Sequence, residues 1–559
     1  MLTRWGKQLD RNAVLQEYPR PQLKRESYLN LNGLWDFAFT DTPETPAVWE
    51  GKILVPFSPE SALSGVERTL APGEFLWYGK DILPPEDFRR GRLILNFGAV
   101  DQIAEVFVDG VYVCTHCGGY TPFSADITDF IHGSGFRLTV RVQDFSEKSY
   151  YARGRQRLKR GGLWHSAQSG IWQTVWLECV PENHIRALRI IPHFDDETVE
   201  LWVAGEGQCM AEIDGRVHSF PAGSPAILPV GEMWPWTPDD PYLYTLKLTL
   251  GQDHAESYFA MHKFTVSTDS KGVKRFFLNN EPIFCTGVLD QGMWPDGLMT
   301  APTDEALQSD IRLAREMGFN TIRKHMKIEP ARWYYHCDRL GMMVWQDMPA
   351  GGTGSFTAVR SGRDDRYRKF GRASVENRRQ YLTELREMLT ALGSCPCIVL
   401  WTPFSEGWGQ FDAVKVAQFV QRYDRQRVID HVGGGCEQGW GEIQSSRLRG
   451  KKYDFKPDSL GRAVVLSQFG GYSFRVEGHC WGPKEYGSIK FESANSYKYA
   501  LWDLYREQIR PAAAEGLAGC IYEQMTDVED ELNGLVTYDR DYVKLAPQLV
   551  RGIVGENRK

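Results

Sequence analysis

The sequence predicts three domains in series: a jelly-roll sandwich, an immunoglobulin-like sandwich and a (β/α)8 barrel, a multidomain β plus α/β architecture. Three observations predict it. At 559 residues the chain has room for roughly three to five domains. Up to about residue 271, apolar side chains recur at every second position. Beyond it, short apolar runs alternate with helical patterns.

Residues 1–183 carry the first sandwich. Leu34–Phe39, Arg92–Phe97, Ala104–Val108, Phe136–Val142 and Thr174–Glu178 alternate between Gly, Pro and Asp turns, with no long amphipathic helix among them. Val108-Asp109-Gly110-Val111 reads as a two-residue hairpin. Residues 184–271 carry the second, with strands at Ile185–Pro192, Val199–Val203 and Leu243–Leu250 and a stiff proline-rich connection at Trp234–Pro241. Residues 272–559 carry the barrel. Its strands fall at Pro282–Val288, Asn320–Lys324, Met342–Gln346, Ile398–Pro403, Val428–Val432, Ala463–Phe469 and Gly516–Tyr522. A weaker sixth lies near Glu442–Ser446. Helical patterns at Asp304–Met317, Pro330–Leu340, Glu376–Leu392, Phe411–Tyr423 and Ser493–Arg506 separate them.

Composition excludes several classes of protein. The 72 acidic and 65 basic side chains give a formal charge of −7, and no segment concentrates Lys and Arg as a nucleic-acid partner requires. The densest basic run, Arg153–Arg160, reads as a solvated loop. No apolar stretch is long enough to span a membrane, and Met1–Lys7 lacks the apolar core of a signal peptide. Eleven scattered cysteines lack metal-site spacing, so reduced thiols, a cytoplasmic location and no metal are expected. The 18 Trp are in surplus, for which core packing and sugar stacking are the two sources.

Barrel chemistry belongs to the C-terminal strand ends. Arg323-Lys324-His325, Gln346-Asp347, Ser405-Glu406, Gln468 and Glu523-Gln524 fall there, with Trp345, Trp401, Trp408, Trp440, Trp481 and Tyr522 at the same rim. Several of these segments are recognisable. Gly287–Gly292, Gly318–His325, Trp345–Pro349, Trp401–Trp408, Ser467–Gly471 and Thr526–Gly534, with Ser169–Leu177 near the N-terminus, resemble glycoside hydrolase family 2, the β-galactosidases, β-glucuronidases and β-mannosidases. The resemblance covers nearly the whole chain. It implies a retaining glycosidase that needs no cofactor, acts on a carbohydrate and often assembles as an oligomer.

By the same resemblance Glu406 maps onto the acid/base, while Asp290, Arg323, His325 and Asp347 map onto the floor and hydroxyl contacts of the sugar site. Trp408, Trp440 and Trp481 are expected to line sugar subsites, beside Tyr522 and Gln524 at the rim. Two positions depart from the pattern. Ser405 stands where relatives carry an asparagine that reaches the 2-hydroxyl, and Gln468 stands at the nucleophile. A carboxamide carries no charge and is a poor nucleophile, so double displacement through residue 468 fails. Strand six also differs, reading Gln444-Ser445-Ser446-Arg447-Leu448-Arg449 where relatives commonly carry a histidine.

Four accounts of Gln468 stay open: an introduced substitution, against which the other departures speak; a carboxylate elsewhere, Glu523 first and Asp430 second; a substrate that supplies its own nucleophile; and a non-hydrolytic, lectin-like relative. For Glu523 the opposing expectation is strand alternation, which turns it outward if Tyr522 faces the lumen. Arg447 and Arg449 are candidates to bind an anionic group. Sugar identity is expected to depend on the segments 351–371 and 433–458.

Overall fold

The computed structural model describes residues 1–88, 91–353 and 362–555. Residues 354–361 of the expected specificity segment 351–371 lie outside the described residues.

Alternation along the first segment folds as a sandwich. A four-stranded sheet (Tyr28–Asn30, Val175–Val180, Arg92–Phe97, Phe123–Asp126) faces a six-stranded one (Gly51–Val55, Gly33–Thr40, Phe75–Ile82, Phe136–Gln143, Ile103–Val108, Val111–Cys117). The inward positions of each, among them Leu93, Leu95, Val106, Val108, Leu138 and Val140, make one apolar core. Val108 pairs with Val111 across Asp109-Gly110, both with positive φ, as a two-residue hairpin turn requires.

The second sandwich packs a three-stranded sheet on a four-stranded one, with Val199, Leu201 and Val203 inward and Trp202 on the outer, half-buried face. Its proline-rich tail fastens it to the barrel: Trp236 is fully buried, and its indole N–H donates to the Asp338 carbonyl at 2.7 Å. Gly341 ends the adjoining helix at φ +70°, where a Cβ would lie 2.3 Å from the Pro238 carbonyl oxygen.

The barrel strands are β1 Cys285–Asp290, β2 Thr321–Lys324, β3 Met343–Asp347, β4 Ile398–Thr402, β5 Val428–Ile429, β6 Ile443–Arg449, β7 Ala463–Gly470 and β8 Leu517–Glu523. They form one sheet in the order β5-β4-β3-β2-β1-β8-β7-β6. Its ladder stops between β5 and β6, because β5 is two residues long. Side chains bridge that seam: the Ser445 hydroxyl donates to Asp430 at 2.8 Å and accepts the Gly434 N–H at 2.8 Å. Asp430 thus serves as a seam clasp.

Two apolar populations mark the two faces of the barrel wall. Cys285, Leu289, Met343, Trp345, Leu400, Ile443, Val465 and Ile521 fill the lumen together with Phe276 of the short sheet that precedes β1. Val288, Ile322, Val344, Trp401, Leu466, Phe469 and Tyr522 face the helical layer. Strand alternation carries these two faces up to the mouth, and there decides which polar residues meet.

Candidate active site

Above the lumen core, alternation turns Arg323 of β2 and Asp347 of β3 inward. The Arg323 Nε lies 3.1 Å from both Asp347 oxygens, its Nη1 donates to the Ser467 carbonyl at 2.7 Å and its Nη2 to the Ser405 hydroxyl at 2.9 Å. His325 Nδ1 lies 2.8 Å from Asp347 and 3.0 Å from Ser405 Oγ. Burial drives the His325 pKa down to about 4 despite the Asp347 carboxylate, so the ring is neutral. Burial raises the Asp347 pKa, but Arg323 and His325 outweigh it and hold the carboxyl below its ordinary value. Arg323, His325, Asp347 and Ser405 therefore form a single buried cluster.

Glu406 follows β4 at φ +55°, the left-handed region that ordinary side chains avoid, and its N–H donates to the Gly433 carbonyl at 3.3 Å. This turn sets its carboxylate against the cluster, with His325 Nε2 at 3.7 Å from Oε1. Arg447 of β6 forms an ion pair with Oε2.

Gln468 sits on a bulge. Ser446 pairs with Leu466 and Arg447 with Gln468, so β7 carries one more residue than β6 there, and its register against β8 shifts at the same place. The bulge keeps Leu466 and Phe469 both on the outer face while Gln468 points inward. Its side chain is fully buried, and neither amide atom has a protein partner.

On β8, Ile521 faces the lumen and Tyr522 the helices, so Glu523 faces the lumen. This differs from the rim placement expected for Tyr522, whose ring packs edge-on to Phe469 at 5.8 Å with its hydroxyl 3.5 Å from that of Tyr497 in the helix Ala494–Leu504. Glu523 is 1% exposed; Arg449 pairs with its Oε1, and Oε2 has no protein partner. Arg447 and Arg449, two residues apart on one face of β6, thus each hold a protein carboxylate. Their charge is already matched, unlike that of the open anion-binding pair expected.

Other expected positions fall elsewhere. Asp290 has the parity of Val288 and lies behind the strand, in a buried chain with Lys324 at 2.5 Å, itself 2.8 Å from Glu329. Burial raises its pKa, but Lys324 outweighs that and lowers it. Trp440 precedes β6, at the end of the barrel opposite Glu406; its ring meets His431 edge-on and its carbonyl accepts from Arg462. Trp345 packs with Phe276 below the site, and Trp401 donates outward to Asp424 at 2.9 Å. Gln524 is engaged by Gln291 and Asn533. Trp408 and Trp481 do reach the mouth.

What they meet there comes from the first sandwich. The basic run Arg153–Arg160, expected in solvent, is a strap laid across the barrel mouth. Arg153 and Gly154 donate backbone N–H groups to the Ala350 carbonyl, and Arg155 reaches Gln291 at 2.8 Å and Glu531 at 2.9 Å. His165 also contacts Glu531 at 3.1 Å, and Arg160 lies 3.3 Å from Asp530. Burial raises the Glu531 pKa, but Arg155 and His165 hold that carboxyl well below its usual range. Trp164 on the strap stacks obliquely on Trp408 at 5.1 Å, and the Arg160 guanidinium stands 5.9 Å from the Trp481 ring. The visible signal for this pairing was the acidic triplet Glu529-Asp530-Glu531, complementary to the basic run.

Family models match two segments of the chain. Residues 63–181 match the sugar-binding domain of glycosyl hydrolases family 2, and residues 271–450 match its TIM-barrel domain. The chain belongs to glycoside hydrolase family 2.

A β-galactosidase of Thermoanaerobacter pseudethanolicus is 24% identical over 64% of this family-2 chain and 48% of its own length. A β-glucuronidase of Streptococcus agalactiae is 22% identical over 70% and 68%. The chain spans about half the length, or less, of the first three curated relatives it matches. Among solved structures, a β-glucuronidase of an uncultured Clostridium superposes with a TM-score of 0.75 at 17% identity, covering 96% of this chain and 99% of that one. A β-galacturonidase of Eisenbergiella tayi gives 0.72 at 18%, covering 97% and 99%.

Proposed function

We propose that this family-2 protein hydrolyses a β-glycoside of the galactoside or glucuronide kind, with Glu406 as general acid. The observation that carries the reading is the buried line from Asp347 through the His325 ring to Glu406. The ring's Nδ1 proton is directed at Asp347, so its Nε2 is an acceptor facing Glu406 Oε1 at 3.7 Å. A protonated Glu406 has a partner there once Arg447 gives up the other oxygen, and from there it can deliver the proton to a leaving oxygen. Arg323, Asp347 and Ser405 supply hydrogen-bonding groups for the sugar floor, and Trp408, Trp481 and Trp164 supply flat faces at the mouth. Double displacement through position 468 is excluded by its carboxamide. A cytoplasmic location belongs to the same reading, supported by eleven cysteines none of which is in a disulfide.

The test is a panel of aryl β-glycosides: galactoside, glucoside, glucuronide, galacturonide and 2-acetamido forms. Turnover abolished by Glu406→Gln supports the reading; binding without turnover across the panel overturns it. That second outcome would support a carbohydrate-binding relative, a reading favoured by one observation, the uncharged and fully buried Gln468.

A further inference from the structure

We propose that Glu523 is the second catalytic carboxylate, acting as a base that activates water, so that this chain inverts the anomeric centre rather than retaining it. This rests on the hydrolase reading above.

Three observations carry it. First, Glu523 is a buried carboxylate on the lumen face of β8, beside the position the family uses. β8 pairs with β7, and Glu523 lies opposite Gly470, two residues past Gln468 toward the mouth. Second, its Oε1 is held by Arg449 while Oε2 is buried and has no protein partner, which leaves an acceptor for a water molecule. Third, β6 measures the separation. Arg447 grips Glu406 and Arg449 grips Glu523. At ~3.3 Å rise per residue, Arg447 and Arg449 are roughly 7 Å apart along one face of the strand, and the wider, inverting spacing of the carboxylates they hold is part of the proposal. Inverting enzymes separate their carboxyls by ~6.5–9.5 Å to admit a water, and retaining ones by only ~5–5.5 Å. Sheet order agrees. β4 and β8 are four strands apart and face each other across the barrel, whereas β4 and β7 are three apart through the β5–β6 seam.

The step balances. Glu406 gives its proton to the glycosidic oxygen as the C1–O bond breaks. Water attacks C1 from the opposite face, and its proton passes to Glu523. The products are the free alcohol and the sugar as its α-anomer; solvent then returns the proton from Glu523 to Glu406. Gln468, where relatives place an attacking carboxylate, is an amide that can hydrogen-bond the sugar without competing for C1.

Proton NMR of the first-formed anomer, on whichever panel substrate the wild-type protein hydrolyses, decides the matter. The α-anomer appearing first is expected; the β-anomer appearing first overturns the proposal while leaving the hydrolase reading intact. No turnover on any panel member overturns both. Glu523→Gln should lower kcat by about 10²–10⁴-fold, and added azide should restore product as the α-glycosyl azide, a rescue that a merely structural partner of Arg449 does not show. Should Glu523→Gln fold poorly because Arg449 is left unbalanced, the double variant Glu523→Gln/Arg449→Met removes both charges and takes the same azide test. Activity of the folded Glu523 variants within tenfold of wild type overturns the assignment, as does a Gln468→Glu variant that turns over faster with retention.

Discussion

Replacing Arg323 with methionine should destabilise the barrel by about 3–5 kcal/mol, because it strips the guanidinium from a carboxylate that has no access to solvent. Asp347 is fully buried, and Arg323 Nε and Nη2 approach it at 3.0–3.1 Å. Without Arg323, Asp347 keeps only the neutral His325 and must either remain a poorly compensated charge or take up a proton. Asp347→Asn alone should cost somewhat less, since Arg323 retains the Ser405 hydroxyl and the Ser467 carbonyl. The double variant should cost less than the sum of the singles by about 1–3 kcal/mol, the coupling expected of buried partners. The barrel transition in urea unfolding or scanning calorimetry measures each value. The pH dependence has a definite sign. The folded-state pKa of Asp347 is depressed, so the pair's stabilisation is complete above the unfolded value near ~4 and fades as pH falls through the lower folded value. The gap between wild type and Arg323→Met therefore narrows on acidification. A cost below about 1 kcal/mol, or singles that add in the double, would refute the claim that this is a buried, coupled ion pair.

Three further outcomes follow from other residues. Burial raises the Glu384 pKa to about 8, where this helix residue accepts the Ala152 N–H of the first sandwich. A carboxyl with a raised folded pKa stabilises fully below its unfolded value near 4.5 and loses that contribution as pH rises through 8. Glu384→Gln should therefore match wild type at pH 5 and exceed it by about 2–4 kcal/mol at pH 9, as measured by melting in the two buffers. Arg155→Met leaves Glu531 with only His165 and the Gln291 amide, neither a full positive charge, and should loosen the strap at a cost of about 3 kcal/mol, read as new protease cleavage between residues 153 and 166; an unchanged digestion pattern would contradict the strap's anchoring. Arg447→Met removes the ion pair from Glu406 and should shift the alkaline limb of kcat/KM toward higher pH, since the general acid then keeps its proton with no guanidinium competing for it; an unmoved profile would show that Arg447 does not govern that proton.

Tryptophan position shows where sequence reasoning was sound and where it ran out. Trp408 and Trp481 stand at the mouth as their strand-end location suggested. Trp345, Trp401 and Trp440 do not, because nearness to a strand end leaves open both the face of the strand and the end of the barrel. One residue of parity puts Trp401 against Asp424 and likewise puts Tyr522 among the helices and Glu523 in the lumen.

The sequence by itself determined the order of the architectures, the strand ends that carry Arg323, His325, Asp347 and Glu406, and the absence of charge at position 468. Each follows from local periodicity or from the identity of a single side chain. Only the tertiary structure decided that Asp290 lies in a salt bridge behind the wall, that the basic run 153–160 crosses the mouth, and that Arg447 and Arg449 hold Glu406 and Glu523. These are relations between residues up to several hundred positions apart, set by barrel closure, by one bulge in β7 and by the docking of the first sandwich. Opposite charge runs, as at 153–160 and 529–531, hint at a pairing along the chain, but which individual buried charges meet is set by the fold.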